Sequence, residues 1–245
     1  MAFLIPDNVR YDNGVKICEK IIPDSAVWNR DVKEGGYTYR KGTTYKANRP
    51  LSSVKGVTIH NTGRIKIPKG TTMAEQYTRA TYPNCNMGSV RVHYYVDDTE
   101  AWQNLEESEV GWHAADGNYG PGNSTTIAIE IIMDGTDSEY NRIAEDNGAR
   151  LCAAILKRHG LDETAVYQHH DWYARKDCPA YIRPHWRAFL AAVRQYLSDD
   201  SQVPSDYDKL VAELTDLKEQ LQLQHANAQD FRDEILAAVA KYDEK

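Results

Sequence analysis

The chain has little of what marks a disulfide scaffold, a nucleic-acid binder or a membrane protein. It holds only four cysteines in 245 residues, Cys18, Cys85, Cys152 and Cys178, widely spaced and without a CxxC pair. Such spacing does not make a disulfide framework, and a reducing compartment is expected. There is no basic excess: 29 Lys and Arg against 36 Asp and Glu give a net charge of −7. That balance argues against general binding to nucleic acid or to an anionic membrane surface. No apolar run reaches the ~18–20 residues a membrane span needs. The opening Met-Ala-Phe-Leu-Ile-Pro-Asp-Asn turns polar quickly and has no basic residue, so a secretory signal is not expected and synthesis in the cytoplasm is.

What is present is an ordinary globular composition, 41% hydrophobic and 27% charged, long enough for one core of about 200 residues plus an appendage. Residues 1–53 show little periodicity and read as an irregular N-terminal arm. Val54 to His60 is a short β-rich run closed by Asn61-Thr62-Gly63, and Arg91 to Val96 is a second, stopped by Asp97-Asp98. Thr125 to Met133 is nearly continuous in apolar residues, as expected of a central strand buried on both faces. Ser138 to His159 reads as a helix with a stripe at Ile143, Asn147, Leu151, Ala154 and Ile155, capped by Gly160. Cys152 falls in its apolar stretch and is expected to be core filler. A last short strand is expected at 165–168 and an amphipathic helix over Ile182 to Leu197. Strands interleaved with helices predict an α/β domain.

The polar, proline-containing segment 199–206 reads as a linker. Beyond it Tyr207, Leu210, Leu214, Leu217, Leu221, Gln224, Ala228, Phe231, Ile235, Ala238 and Tyr242 recur at steps of three and four. Five heptads of this kind predict a coiled-coil segment over 207–245, with a helix of about 54 Å from Tyr207 to Tyr242. The narrow seam suits a coiled coil that oligomerises the protein better than a helix lying on its own domain. The polar Gln224 and the small Ala228 and Ala238 weaken its middle, so strand number is left open.

Three stretches carry potential chemistry: Thr58-Ile59-His60-Asn61, Ile129-Glu130-Ile131 and His169-His170-Asp171 with Lys176-Asp177-Cys178 downstream. Two imidazoles and a thiolate are donors that zinc favours, and three protein ligands leave a fourth position for water, whose pKa falls to roughly 7. Glu130 would serve as the base and Lys176 as the partner of a developing oxyanion. Taken singly, His60 is more often a structural histidine, and Lys176 could be one more solvated charge. Glu130 is harder to dismiss, because a carboxylate among Ile129, Ile131 and Ile132 is costly to bury without a partner.

Six segments together go further: Val57-Thr58-Ile59-His60-Asn61-Thr62, Val92-His93-Tyr94-Tyr95, Gly111-Trp112-His113-Ala114, Gly120-Pro121-Gly122-Asn123, Ile127-Ala128-Ile129-Glu130 and His169 through Cys178-Pro179. In this order they resemble the type 2 zinc-dependent N-acetylmuramoyl-L-alanine amidases, a group that includes phage endolysins and shares its fold with peptidoglycan recognition proteins. The resemblance covers about residues 54–197. It implies an α/β fold with a mixed central β-sheet flanked by helices, and a catalytic domain over 54–198. It also implies Zn2+ held by His60, His169 and Cys178, catalytic roles for Glu130 and Lys176, and a substrate groove lined by Trp112, His113, Gly122 and Asn123. The family's His-x-Asp pattern selects His169; counting back eight residues from Cys178 selects His170 instead, and His169 is preferred because the strand end fixes it.

The implied reaction is hydrolysis of the amide between N-acetylmuramic acid and L-alanine in peptidoglycan, in the manner of a phage or prophage lysin that reaches the wall after release. Rivals are a zinc-containing peptidoglycan-binding protein without turnover and a cysteine hydrolase using Cys178. The expected partners are the wall substrate and further copies of the chain through its C-terminal helix.

Overall fold

The computed structural model describes residues 3–34, 36–85 and 87–198, together with scattered helical positions between 217 and 232. Residues 1–200 form one compact unit and residues 201–245 a second. Seven strands of the first unit make one sheet, in the order β1-β2-β7-β6-β8-β5-β9. They are β1 (Asn8–Asp12), β2 (Val15–Glu19), β5 (Gly56–Thr62), β6 (Tyr94–Val96), β7 (Ala101–Gln103), β8 (Thr126–Ile132) and β9 (Val166–Gln168). A separate hairpin consists of β3 (Val32–Glu34) and β4 (Tyr37–Tyr39). The helices are α1 (Met73–Thr81), α2 (Pro121–Thr125), α3 (Glu139–Arg158), α4 (His169–Trp172) and α5 (Trp186–Ser198).

The sheet is mixed. β8 runs parallel to both β5 and β6, and β9 parallel to β5, whereas β6–β7 and β1–β2 are antiparallel. Alternation along β8 sorts its side chains between two layers. Ile127, Ile129 and Ile131 join the cluster containing Leu151, Ile155 and Phe189 of α3 and α5. Ala128 and Ile132 join Ala74 and Tyr77 of α1 on the opposite face. A strand covered on both sides has no solvated face, which is why its sequence is nearly unbroken in apolar residues. Glu130 shares the parity of Ala128 and Ile132, and so emerges on the α1 side.

Helix ends follow local chemistry. Thr72 Oγ1 accepts from Glu75 N–H at 3.1 Å to start α1, and Ser138 Oγ accepts from Asn141 N–H at 3.2 Å to start α3. The stripe predicted for α3 is corrected at its first turn: Ile143 is exposed while Ala144 and Gly148 face the sheet. Close packing explains the choice, since a Cβ on Gly148 would lie 2.3 Å from Ile131 Cδ1. Cys152 is fully buried in the core.

The reading of residues 1–53 as an irregular arm is also corrected. β1 and β2 pair in register from Asn8↔Glu19 to Asp12↔Val15 and extend the sheet along β7. Val15 and Ile17 are buried in the main core. The turn is Asn13-Gly14, both at positive φ (48° and 80°), the primed geometry that joins two-residue hairpins. No boundary therefore falls at residues 53 and 54.

The 199–206 linker lies outside the described residues, as does most of the 207–245 seam. Positions 217, 220, 221, 224, 228, 229, 231 and 232 are helical. Among them Leu217, Leu221 and Phe231 are exposed on the single chain. Among the described residues no helix is long and apolar enough to cross a membrane.

Candidate metal centre and groove

The cluster is assembled by strand register. His60 on β5 stands directly across from Glu130 on β8, and Ile59 pairs with Gln168 at the end of β9. The chain turns into α4 at that point, with Asp171 Oδ2 accepting from Gln168 N–H at 2.8 Å, so the next residue, His169, arrives beside His60. The loop after α4 returns, and His170 N–H donates to the Cys178 carbonyl at 2.9 Å. This backbone bond places Cys178 under the two imidazoles.

Ligand-capable atoms of His60, His169 and Cys178 all lie within 4.8 Å of one another, and all three residues are buried. His60 Nδ1 is 3.8 Å from Cys178 Sγ and 4.0 Å from Glu130 Oε1. Its Nε2 is bonded to His113 Nδ1 at 3.1 Å. Of the adjacent histidines, His169 joins this cluster, whereas half-buried His170 turns its Nδ1 to the Lys176 carbonyl at 3.0 Å.

The donors fit a metal ion. Glu130 Oε2 is buried with no hydrogen-bond partner, and neither ring nitrogen of buried His169 finds one of good geometry, the Ala114 backbone being the neighbour that interacts with the ring; such groups are costly to bury unless a ligand satisfies them. Burial, with His113, His169 and Lys176 nearby, holds the His60 imidazolium pKa well below its usual value. Burial and Lys176 bring His169 down to about 4. Both imidazoles are thus neutral, the form that binds metal. Burial pushes the Cys178 thiol up to about 12 and the Glu130 carboxyl up to about 7, Lys176 pulling the latter back. A divalent cation among these groups would draw both downward.

Around this core lies a supporting shell. Asn123 Oδ1 accepts from the N–H groups of His113 and Ala114 at 2.8 and 2.9 Å, and its Nδ2 donates to the Gly117 carbonyl at 3.0 Å. Asn123 and His113, both expected in the groove lining, do border it. Asn123 nevertheless commits its amide to holding the 113–117 loop, and His113 turns Nδ1 to His60. Gly122 is required by packing, because a Cβ there would meet Ala114 Cβ at 2.5 Å and Trp172 Cγ at 2.7 Å. Trp172 Nε1–H donates to Thr58 Oγ1 at 2.9 Å and ties α4 to β5. His93 is structural: Nδ1 accepts from Ala128 N–H at 3.0 Å and Nε2 meets the Glu109 carbonyl at 2.8 Å.

A groove of about 640 Å³ is lined by His113, His169 and Lys176 together with the aromatic residues Trp112, Tyr37, Tyr39 and Tyr119. The hairpin residues were not foreseen as lining. Gly35-Gly36 between Val-Lys-Glu and Tyr-Thr-Tyr is the sequence signal that marks them.

The architecture agrees with comparisons to known proteins. Residues 50–181 match the family described as N-acetylmuramoyl-L-alanine amidase, and the chain belongs to it. The chain is 30% identical to N-acetylmuramoyl-L-alanine amidase CwlH of Bacillus subtilis over 70% of its own length and 68% of that protein. It is 32% identical to XlyA of the same organism over 56% of its length and 43% of XlyA. The structure of the XlyA catalytic domain superposes with a TM-score of 0.57 at 27% identity, covering 73% of this chain and 99% of that one. The structure of PlyL gives 0.53 at 26% identity over 62% of this chain and 90% of that one.

Proposed function

We propose that the protein is a zinc-dependent amidase that cleaves the bond between the lactyl carbonyl of N-acetylmuramic acid and L-alanine in peptidoglycan. The observation that carries this reading is the meeting of His60, His169 and Cys178 within 4.8 Å, with Glu130 beside His60 at 4.0 Å. A zinc ion held by these three side chains would act as a Lewis acid on the scissile carbonyl and acidify water for attack.

The chain's own residues supply the rest. Glu130, across the β5–β8 register from His60, accepts the proton of the attacking water and passes it to the departing alanine nitrogen, the work of a positioned general base and acid. Lys176 borders the groove and stabilises negative charge on the former carbonyl oxygen. His113 fixes the His60 ring through Nε2, leaving Nδ1 turned to Cys178. Burial of Cys178 to 4% exposure disfavours the rival in which it attacks substrate itself, since reactive thiols sit in partly open, electropositive places.

The place of action is the bacterial wall, as for an endolysin. The C-terminal helix joins copies of the chain, a reading supported by Leu217, Leu221 and Phe231 left exposed at coiled-coil spacing. Oligomerisation would add avidity for an extended substrate; a monomeric sedimentation profile at micromolar concentration overturns it. The amidase reading is tested on purified sacculi: new amino groups appear, stop on chelation and return with zinc. Wall binding with bound metal but no amino-group release would instead make the protein a non-catalytic binder.

A further inference from the structure

We propose that the β3–β4 hairpin builds a carbohydrate subsite, so that one end of the groove holds an N-acetylhexosamine ring of the glycan strand; the inference rests on the amidase reading. The hairpin spans residues 32–39, outside the 50–181 segment shared with the family. It nevertheless lines the same groove as His169 and Lys176. A groove of about 640 Å³ lies in the range that encloses small-molecule ligands, about 300–1,000 Å³.

The chemistry of this end is aromatic. Tyr37 is 72% and Tyr119 81% exposed. A single exposed tyrosine on a protein surface is unremarkable. Two of them lining one groove that Trp112 also lines present flat apolar faces edged by hydroxyls. A pyranose ring has the matching form, a face of C–H groups rimmed by hydroxyl and acetamido groups, and Tyr and Trp serve such half-apolar, half-wet ligands well.

The wall is also ordered in advance. Tyr39 stacks on Trp28 at 5.0 Å between ring centroids and lies 6.0 Å from Trp112. Trp28 in turn lies under the Arg91 guanidinium at 4.8 Å. Glu34 accepts from Ser89 N–H at 2.5 Å, tying the hairpin to the segment before β6. Arg49 covers one face of the Tyr119 ring at 4.5 Å and donates to the Asn118 carbonyl. A preformed wall does not have to be ordered by its ligand, which favours affinity. The stem peptide is the other part of the substrate that could lie here, and it would need charged partners. Glu34, the acidic residue lining this groove, is already committed to Ser89, and what it leaves open beside it are tyrosine faces, so the sugar is favoured.

The test uses the full chain and a peptide-free probe, the tetramer of N-acetylglucosamine, followed by tryptophan fluorescence. Saturable binding is expected, weakened at least fivefold in Tyr37→Ala and kept within twofold of wild type in Tyr37→Phe, which retains the ring face. Both variants should melt within a few degrees of wild type, because Tyr37 is exposed. No saturable response, or equal binding by Tyr37→Ala, overturns the subsite. So does Tyr37-dependent binding of a free stem tetrapeptide in place of the sugar. An inactive protein that still binds the tetramer through Tyr37 would remove the amidase reading and leave the subsite. Full wall hydrolysis without Tyr37-dependent sugar binding would do the reverse.

Discussion

His60 Nδ1 lies 3.8 Å from Cys178 Sγ although 118 residues separate them in sequence. Two ligands of one tetrahedral zinc, at about 2.0–2.1 Å for nitrogen and 2.3 Å for sulfur, stand roughly 3.6 Å apart. The folded chain thus holds this pair near liganding distance before any ion is considered. The purified protein should carry about one zinc per chain, and Cys178→Ser should lose it. His113→Ala should weaken zinc binding roughly 10- to 100-fold, because it removes the partner that orients His60. Elemental analysis and competition with a chromophoric chelator check both. Full metal content in Cys178→Ser would remove the thiolate from the centre.

Glu130 separates metal binding from turnover. It faces His60 across the β5–β8 register, and Oε2 has no partner, so the amide in Glu130→Gln fits the same space without taking a proton. Zinc content should stay at the wild-type level while amino-group release from sacculi falls roughly 100- to 10,000-fold, the usual contribution of a positioned base. Retained activity would take Glu130 out of the reaction.

How much of this was legible in the sequence depends on the kind of signal each residue carried. β8 declared itself through its apolar run, because both faces are covered, and α3 and α5 through helical periodicity. The cluster was legible as a set of residue types, with His169 preferred by its place after the strand. Register, which sets His60 opposite Glu130, is a non-local property and needed the fold. The N-terminal strands stayed hidden because β1 is a solvated edge strand, with only partly buried or exposed residues. Asn13-Gly14 was the local mark available there, and it outweighs absent periodicity. The roles of His113 and Asn123 in holding the cluster could not be read either, since a groove-lining histidine and a supporting one look alike in sequence.

That N-terminal hairpin is structural, and the consequence is measurable. Ile17 is fully buried in the main core, so Ile17→Ala should destabilise by about 2–5 kcal/mol, the cost of lost apolar burial plus a cavity. Ile5, 69% exposed, should change stability by less than about 0.5 kcal/mol when truncated. Urea midpoints of the two variants make the comparison. Equal, negligible shifts would mean that residues 1–19 are a detachable arm after all.

Acid sensitivity should trace in part to Glu107. Its carboxylate accepts from Tyr94 OH at 2.8 Å and from Arg158 Nη2 at 2.5 Å, and meets His159 Nε2 at 2.8 Å. Arg158 also reaches Asp12 at 2.9 Å, so the cluster fastens β1 to the end of α3. Burial alone would raise the Glu107 pKa, but the Arg158 hydrogen bonds and charge, with Tyr94 and His159, outweigh it and hold it at about 2. A carboxyl lower in the folded state than in the unfolded chain, where it sits near 4.3, stabilises above that value and loses its contribution as pH falls toward about 2. The contribution at neutral pH is on the order of 3 kcal/mol. Glu107→Gln should therefore unfold at lower urea than wild type at neutral pH, and the gap should narrow steadily as pH falls from about 5 to about 2.5. A gap that stays constant over that range would show that the carboxylate charge, as distinct from its shape, does not stabilise this junction.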